Sequence, residues 1–83
     1  MAKSIIATLY IHKTNQKTDI EIPLNITANE LVVAVNEGFH LGINTNDIKQ
    51  CYLKTEHPIA LLKGNKTIEE FQLHDGTVIH FTR

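Results

Sequence analysis

The residues of this chain that could do chemistry are one thiol and five imidazoles, and their spacing joins them into no recognisable catalytic or metal-binding set. Cys51 is the only cysteine among 83 residues, so no internal disulfide can form, and zinc or iron–sulfur sites built on several thiolates are excluded. It stands in the alternating run Gln50-Cys51-Tyr52-Leu53-Lys54, where a free cysteine is expected to be a small core residue rather than a nucleophile. His12, His40, His57, His74 and His80 are scattered, with no i, i+4 pair to set two ligands on one helix face, so solvated histidines with no metal and no cofactor are expected. No Ser/His/Asp or Cys/His constellation is legible, and so small a chain has little volume for a cleft that excludes water. Enzyme activity is therefore not expected, and function has to be sought on a surface.

Composition narrows the partner. Eight basic against nine acidic residues give a formal charge of -1, which supplies no long-range attraction for phosphate backbones or anionic lipid. A protein is the expected partner, with no nucleic acid and no membrane insertion, and the state expected is a monomer or weak homodimer. The opening Met1-Ala2-Lys3-Ser4 and the alternation that follows are too short and interrupted for a leader or a membrane span, so a cytoplasmic location is expected. The length fits one domain, residues 1–83, burying about 60–65% of its unfolded surface.

The elements that must position any surface follow from periodicity and caps. Residues 5–11 alternate with β-branched and aromatic content, and Ile20-Glu21-Ile22 repeats the pattern after a polar connection from His12 to Lys17, which predicts a hairpin. The inward set is Ile5, Ala7, Leu9, Ile11, Ile20, Ile22 and Leu24, since the opposite register would bury Thr8 and Glu21; Pro23 marks the exit. Thr27-Ala28-Asn29-Glu30 is a capping box, with Ile26 and Leu31 spaced as a hydrophobic staple. A helix from Ala28 follows, facing the core with Ala28, Leu31, Val35 and Phe39, flanked by Ala34 and Gly38, and stopped by Gly38 or Gly42. Two short strands are expected at Gln50–Lys54 and Ile59–Leu62, then a turn at residues 63–66. Thr67-Ile68-Glu69-Glu70 repeats the capping box before one helical turn, and Asp75-Gly76 turns into the last strand. One helix with a single apolar stripe covers one face of one sheet, which makes a two-layer α+β domain with the other sheet face in water.

This order, hairpin, capped helix, two short strands, helical turn and final strand, resembles the β-grasp of ubiquitin from about Ile5 to Thr82. Thr67-Ile68-Glu69-Glu70-Phe71-Gln72-Leu73 and Ile79-His80-Phe81 resemble ubiquitin's corresponding segments. The chain more closely resembles the YukD/EsaB family of small ubiquitin-like proteins encoded with bacterial type VII secretion systems, and the related cytoplasmic domain of EccD-type membrane components. Asp19-Ile20-Glu21-Ile22-Pro23, then Asn29-Glu30-Leu31-Val32, and Asp75-Gly76-Thr77-Val78-Ile79 carry that likeness, with Thr77 where the family usually has an acid. The resemblance implies a ubiquitin-like β-grasp: a mixed sheet of about five strands on one α-helix, with a short helical turn before the last strand. It also implies a non-enzymatic accessory or regulatory protein of the secretion system that acts by protein binding. The alternatives are a sulfur-carrier or conjugated ubiquitin-like protein truncated before a Gly-Gly terminus, since the sequence ends Phe81-Thr82-Arg83, and a stand-alone β-grasp adaptor unrelated to secretion.

Alternation and the strand order implied by that resemblance, first beside last beside third, assemble one candidate binding surface. Ile6, Thr8 and Tyr10 point away from the helix, as do Tyr52, Lys54, Val78, His80 and Thr82. Aromatic and aliphatic residues rimmed by a lysine suit a protein-binding patch. Val33, on the outer side of the helix, is a weaker second candidate.

Overall fold

The computed structural model describes residues 3–83; Met1 and Ala2, with which the supposed leaderless start opens, lie outside them. The strands are β1 (Ser4–Ile11), β2 (Gln16–Pro23), β3 (Leu53–Glu56), β4 (Ala60–Leu62) and β5 (Val78–Phe81), and the helix α1 is Ala28–Phe39. They form one five-stranded mixed sheet in the order β2-β1-β5-β3-β4, with β1 parallel to β5 and every other neighbouring pair antiparallel. The α+β β-grasp expected from the element order is the architecture observed.

The hairpin keeps the expected facing. Ile5, Ala7, Leu9, Ile11 and Ile22 are buried, and Ile20 and Leu24 pack against them. Its connection is shorter than the polar run suggests: a 3-10 turn at His12–Thr14 is closed by Asn15 in the left-handed region at φ 54°, a conformation asparagine tolerates. β2 therefore starts at Gln16, because an outer strand is held by backbone pairing and can carry polar side chains at its solvated end.

Helix α1 begins at Ala28 behind the capping box. The Glu30 amide donates to Thr27 Oγ1 at 3.1 Å and the Thr27 amide to Glu30 Oε1 at 3.0 Å. Its buried residues are Ala28, Leu31, Val32 and Val35, with Phe39 packed at the edge of the core. Val32 is fully buried while Ala34 is exposed, so the stripe runs through the i+4 neighbour of Ala28 rather than through Ala34. Burial rewards the larger apolar side chain at the stripe's centre. The stop is neither Gly38 nor Gly42: His40 is the left-handed C-cap, at φ 54°. Asn36 accounts for it, since its side-chain amide donates to the Ile43 carbonyl at 3.1 Å and accepts the Ile43 amide at 2.8 Å, turning the chain back before Gly42, while Gly38 stays within the helix.

Cys51 is buried, and its thiol donates to Asn29 Oδ1 at 3.0 Å. The residues before Leu53 are a loop rather than strand, because Asp47 takes the Gln50 and Cys51 amides on its carbonyl at 2.9 and 3.0 Å. Thr67 and Glu70 close the second capping box, and the Phe71 amide reaches the Thr67 carbonyl at 3.1 Å: a single turn that buries Ile68 and delivers Leu73 to the core. At residues 74–77 the Thr77 amide donates to the His74 carbonyl at 3.0 Å across Gly76, whose φ of 93° only glycine adopts freely. Asp75 fastens this turn to β1 by accepting the Ile6 amide on Oδ1 at 2.8 Å.

Candidate protein-binding surface

Cross-strand register builds the face opposite α1 in two rows. Lys17 pairs with Tyr10, Tyr10 with His80, His80 with Lys54 and Lys54 with Leu61, so one row crosses all five strands. The next row, two residues along each strand, is Asp19, Thr8, Val78 and Glu56. Because strand side chains alternate between faces, and Leu9, Thr55 and Ile79 between the two rows are buried, both rows face away from the core. The first row is aromatic and basic, and the second carries the carboxylates.

His80 is the hub. Its Nδ1 lies 2.7 Å from His12 Nε2, and its Nε2 lies 2.6 Å from Glu56 Oε1. The Nε2 makes no aligned hydrogen bond, so the Glu56 carboxylate lies close to the ring without a directed bond. His12 stacks on Tyr10, with ring centroids 3.9 Å apart and planes 12° off parallel. The Tyr10 hydroxyl donates to Asn15 Oδ1 at 2.8 Å, and Lys17 Nζ sits 4.8 Å above the Tyr10 ring. Tyr10 and His80 are thus held in defined positions, an arrangement that lowers the entropy cost of binding. Glu56 and His12 approach opposite nitrogens of His80, so the three do not converge on one point. Among the described residues no group of three His, Cys, Asp or Glu side chains does so.

Of the eight candidate residues, the structure brings Thr8, Tyr10, Lys54, Val78 and His80 into one surface. Thr8 donates to Asp19 Oδ1 at 3.0 Å. Ile6 is exposed at one end, its backbone occupied by the Asp75-Gly76 turn. Thr82 lies just past β5, at the other end. Tyr52 precedes β3, and its ring lies under the Arg83 guanidinium at 4.0 Å, a cation also 5.5 Å from the Phe81 ring. Arg83 further donates to the Gln50 carbonyl at 2.7 Å and to the Tyr52 carbonyl, so Tyr52 belongs to the margin of the surface rather than to its middle. Val33, the helix candidate, is half-buried.

Sequence reasoning missed His12, read as a solvated loop histidine, along with Glu56 and Leu61. Strand alternation could have found the last two, Glu56 had β3 been extended to it and Leu61 within the strand expected at Ile59–Leu62; no local signal marks His12, whose partner is 68 positions away. Two hollows flank the His80–Glu56 ridge: one of about 630 Å³ toward β4 and one of about 390 Å³ toward β2. Among the described residues no helix is long and apolar enough to cross a membrane.

Comparison with known proteins agrees with this architecture. The ubiquitin-like domain of Dsk2 from Plasmodium falciparum superposes with a TM-score of 0.68 at 17% identity, covering 98% of this chain and 99% of that one. The C-terminal ubiquitin-like domain of mouse tubulin-specific chaperone e gives 0.73 at 9% identity, covering 95% and 84%. A de novo design based on ubiquitin gives 0.63 at 16%, covering 93% and 84%. At such identities the likeness is one of fold. No curated protein matches the sequence. The model of the family described as WXG100 protein secretion system (Wss), protein YukD, matches residues 6–81, and the chain therefore belongs to the YukD family.

Proposed function

We propose that this protein is a non-enzymatic accessory or regulatory component of a bacterial type VII, or WXG100, secretion system, acting in the cytoplasm as a monomer or weak homodimer that binds another protein through the sheet face opposite α1. The observation that carries this reading is the row Lys17, Tyr10, His80, Lys54 and Leu61, laid across five strands and left uncovered by the helix. Its central rings are fixed by stacking and by hydrogen bonds, and rigid aromatic anchors dominate binding energy at protein interfaces. Membership of the YukD family directs the search for the partner to the secretion machinery.

The test is capture of the cytoplasmic parts of the cognate secretion machinery by the wild-type protein and by Tyr10→Ala, His80→Ala and Lys54→Ala. Each of the first two is expected to weaken capture by about 1–3 kcal/mol, while melting midpoints move far less. Unchanged capture by all three variants sinks the reading.

A further inference from the structure

We propose that the hollow between His80 and β4 receives an aliphatic side chain from an extended acidic segment of another protein, with a carboxylate of that segment pairing with Lys54. The inference rests on the protein-binding reading of the outer face and names the subsite and the chemistry of its occupant.

Apolar surface is concentrated at this hollow. Ile59 is 89% exposed and Leu61 41%, and both line it beside Ala60. Two large aliphatic side chains in solvent, Ile59 in the turn before β4 and Leu61 on that edge strand, form the kind of patch that a partner covers. The two edges of the sheet differ sharply. β2 carries Lys17, Asp19, Glu21 and Pro23, the residue types that discourage strand addition. Residues 58–62, Pro58-Ile59-Ala60-Leu61-Leu62, carry no charge, and the outer side of β4 has no strand neighbour. An extended segment lying along β4 can use those backbone groups while its side chains reach the hollow.

Charge selects the segment. Lys54 is exposed and makes no ion pair among the described residues, where the one carboxylate close to a basic side chain is Glu56, beside His80. Glu56, the hollow's own carboxylate, lies against the His80 ring, so Lys54 is the cation the rim offers to a carboxylate. A second copy of this chain fits poorly. A two-fold interface brings the same patch of both copies together, so it would gather two Lys54 cations in one contact and bring no acidic segment, since residues 58–62 carry no charge.

The test uses isotope-labelled protein titrated, with amide shifts recorded, against two end-blocked hexapeptides: two central leucines flanked by aspartates, and the same with lysines. The aspartate peptide is expected to give saturable shifts at Lys54, Ala60, Leu61 and His80, and the lysine peptide to bind about tenfold more weakly. Lys54→Glu should reverse that order, and Leu61→Ser, at an exposed position, should weaken both peptides while the fold persists. No saturable shift, equal binding of the two peptides, or shifts confined to β2 or α1 overturns the inference. So does a concentration-dependent dimer in sedimentation that involves these same residues. If the hollow stays silent while Tyr10→Ala and His80→Ala lose capture of the secretion machinery, this inference alone falls. A peptide response at the hollow with capture intact in both variants supports the subsite and sinks the broader reading.

Discussion

His12 and His80 face each other nitrogen to nitrogen at 2.7 Å, one on the turn that closes the first hairpin and the other on the last strand. A hydrogen bond of this kind has one donor and one acceptor, so a single proton lies between the two rings. His12→Phe should keep the stack on Tyr10 and lose only that bond, costing about 0.5–1 kcal/mol at this solvent-accessible position. His12→Ala should lose the stack as well and cost more. Urea melts of the two variants check the order; a phenylalanine variant less stable than the alanine one would show that the stack is not formed.

Thr77 is fully buried, and its hydroxyl accepts the His74 amide at 3.1 Å and donates to the His57 carbonyl at 2.8 Å. It ties the turn before β5 to the connection between β3 and β4. Thr77→Val should cost about 1–3 kcal/mol by leaving both groups unpaired. Thr77→Asp should cost more, because a carboxylate cannot donate to the His57 carbonyl. Chemical denaturation of the three proteins decides it, and an aspartate variant as stable as the wild type would refute the assigned bonds.

Glu70 has its carboxyl held below the ordinary value of 4.5, chiefly by the Thr67 backbone amide and then by the Thr67 hydroxyl, with desolvation opposing them and the Lys66 charge adding least. A carboxyl whose folded value is depressed stabilises the fold above its unfolded value, and that contribution disappears as pH falls through the folded one. Carbon-detected titration should therefore show Glu70 losing its charge below pH 4.5, and Thr67→Val should move the midpoint upward. A midpoint unchanged by that substitution would mean that the Thr67 hydroxyl has no part in holding it.

The helix face is checked by three substitutions. Leu31→Ala, in the core, should cost about 2–5 kcal/mol, whereas Thr27→Ala, which removes the cap, should cost about 0.5–2 kcal/mol. Ala34→Ser, on the exposed side, should cost under about 0.5 kcal/mol. An Ala34 effect as large as that at Leu31 would reverse the assigned stripe.

The element order, the inward set of the hairpin, both capping boxes and the Asp75-Gly76 turn were legible from residues alone, because each depends on neighbours within a few positions. Thr27 and Glu30, like Thr67 and Glu70, are three residues apart, and their bonds form wherever the first turn forms. Alternation also placed Tyr10, Lys54 and His80 on the face away from the helix. Short-range pattern could not show that His40 rather than a glycine ends α1, since that follows from the grip of Asn36 on Ile43, seven residues on. Nor could it show that Tyr52 is drawn to the margin by Arg83, 31 residues away, or that His12 closes on His80 across 68. Those contacts depend on the parallel register of β1 against β5 and on where the chain turns after each strand. Side-chain period specifies which face a residue takes, but the residue opposite it is chosen only when the strands are paired.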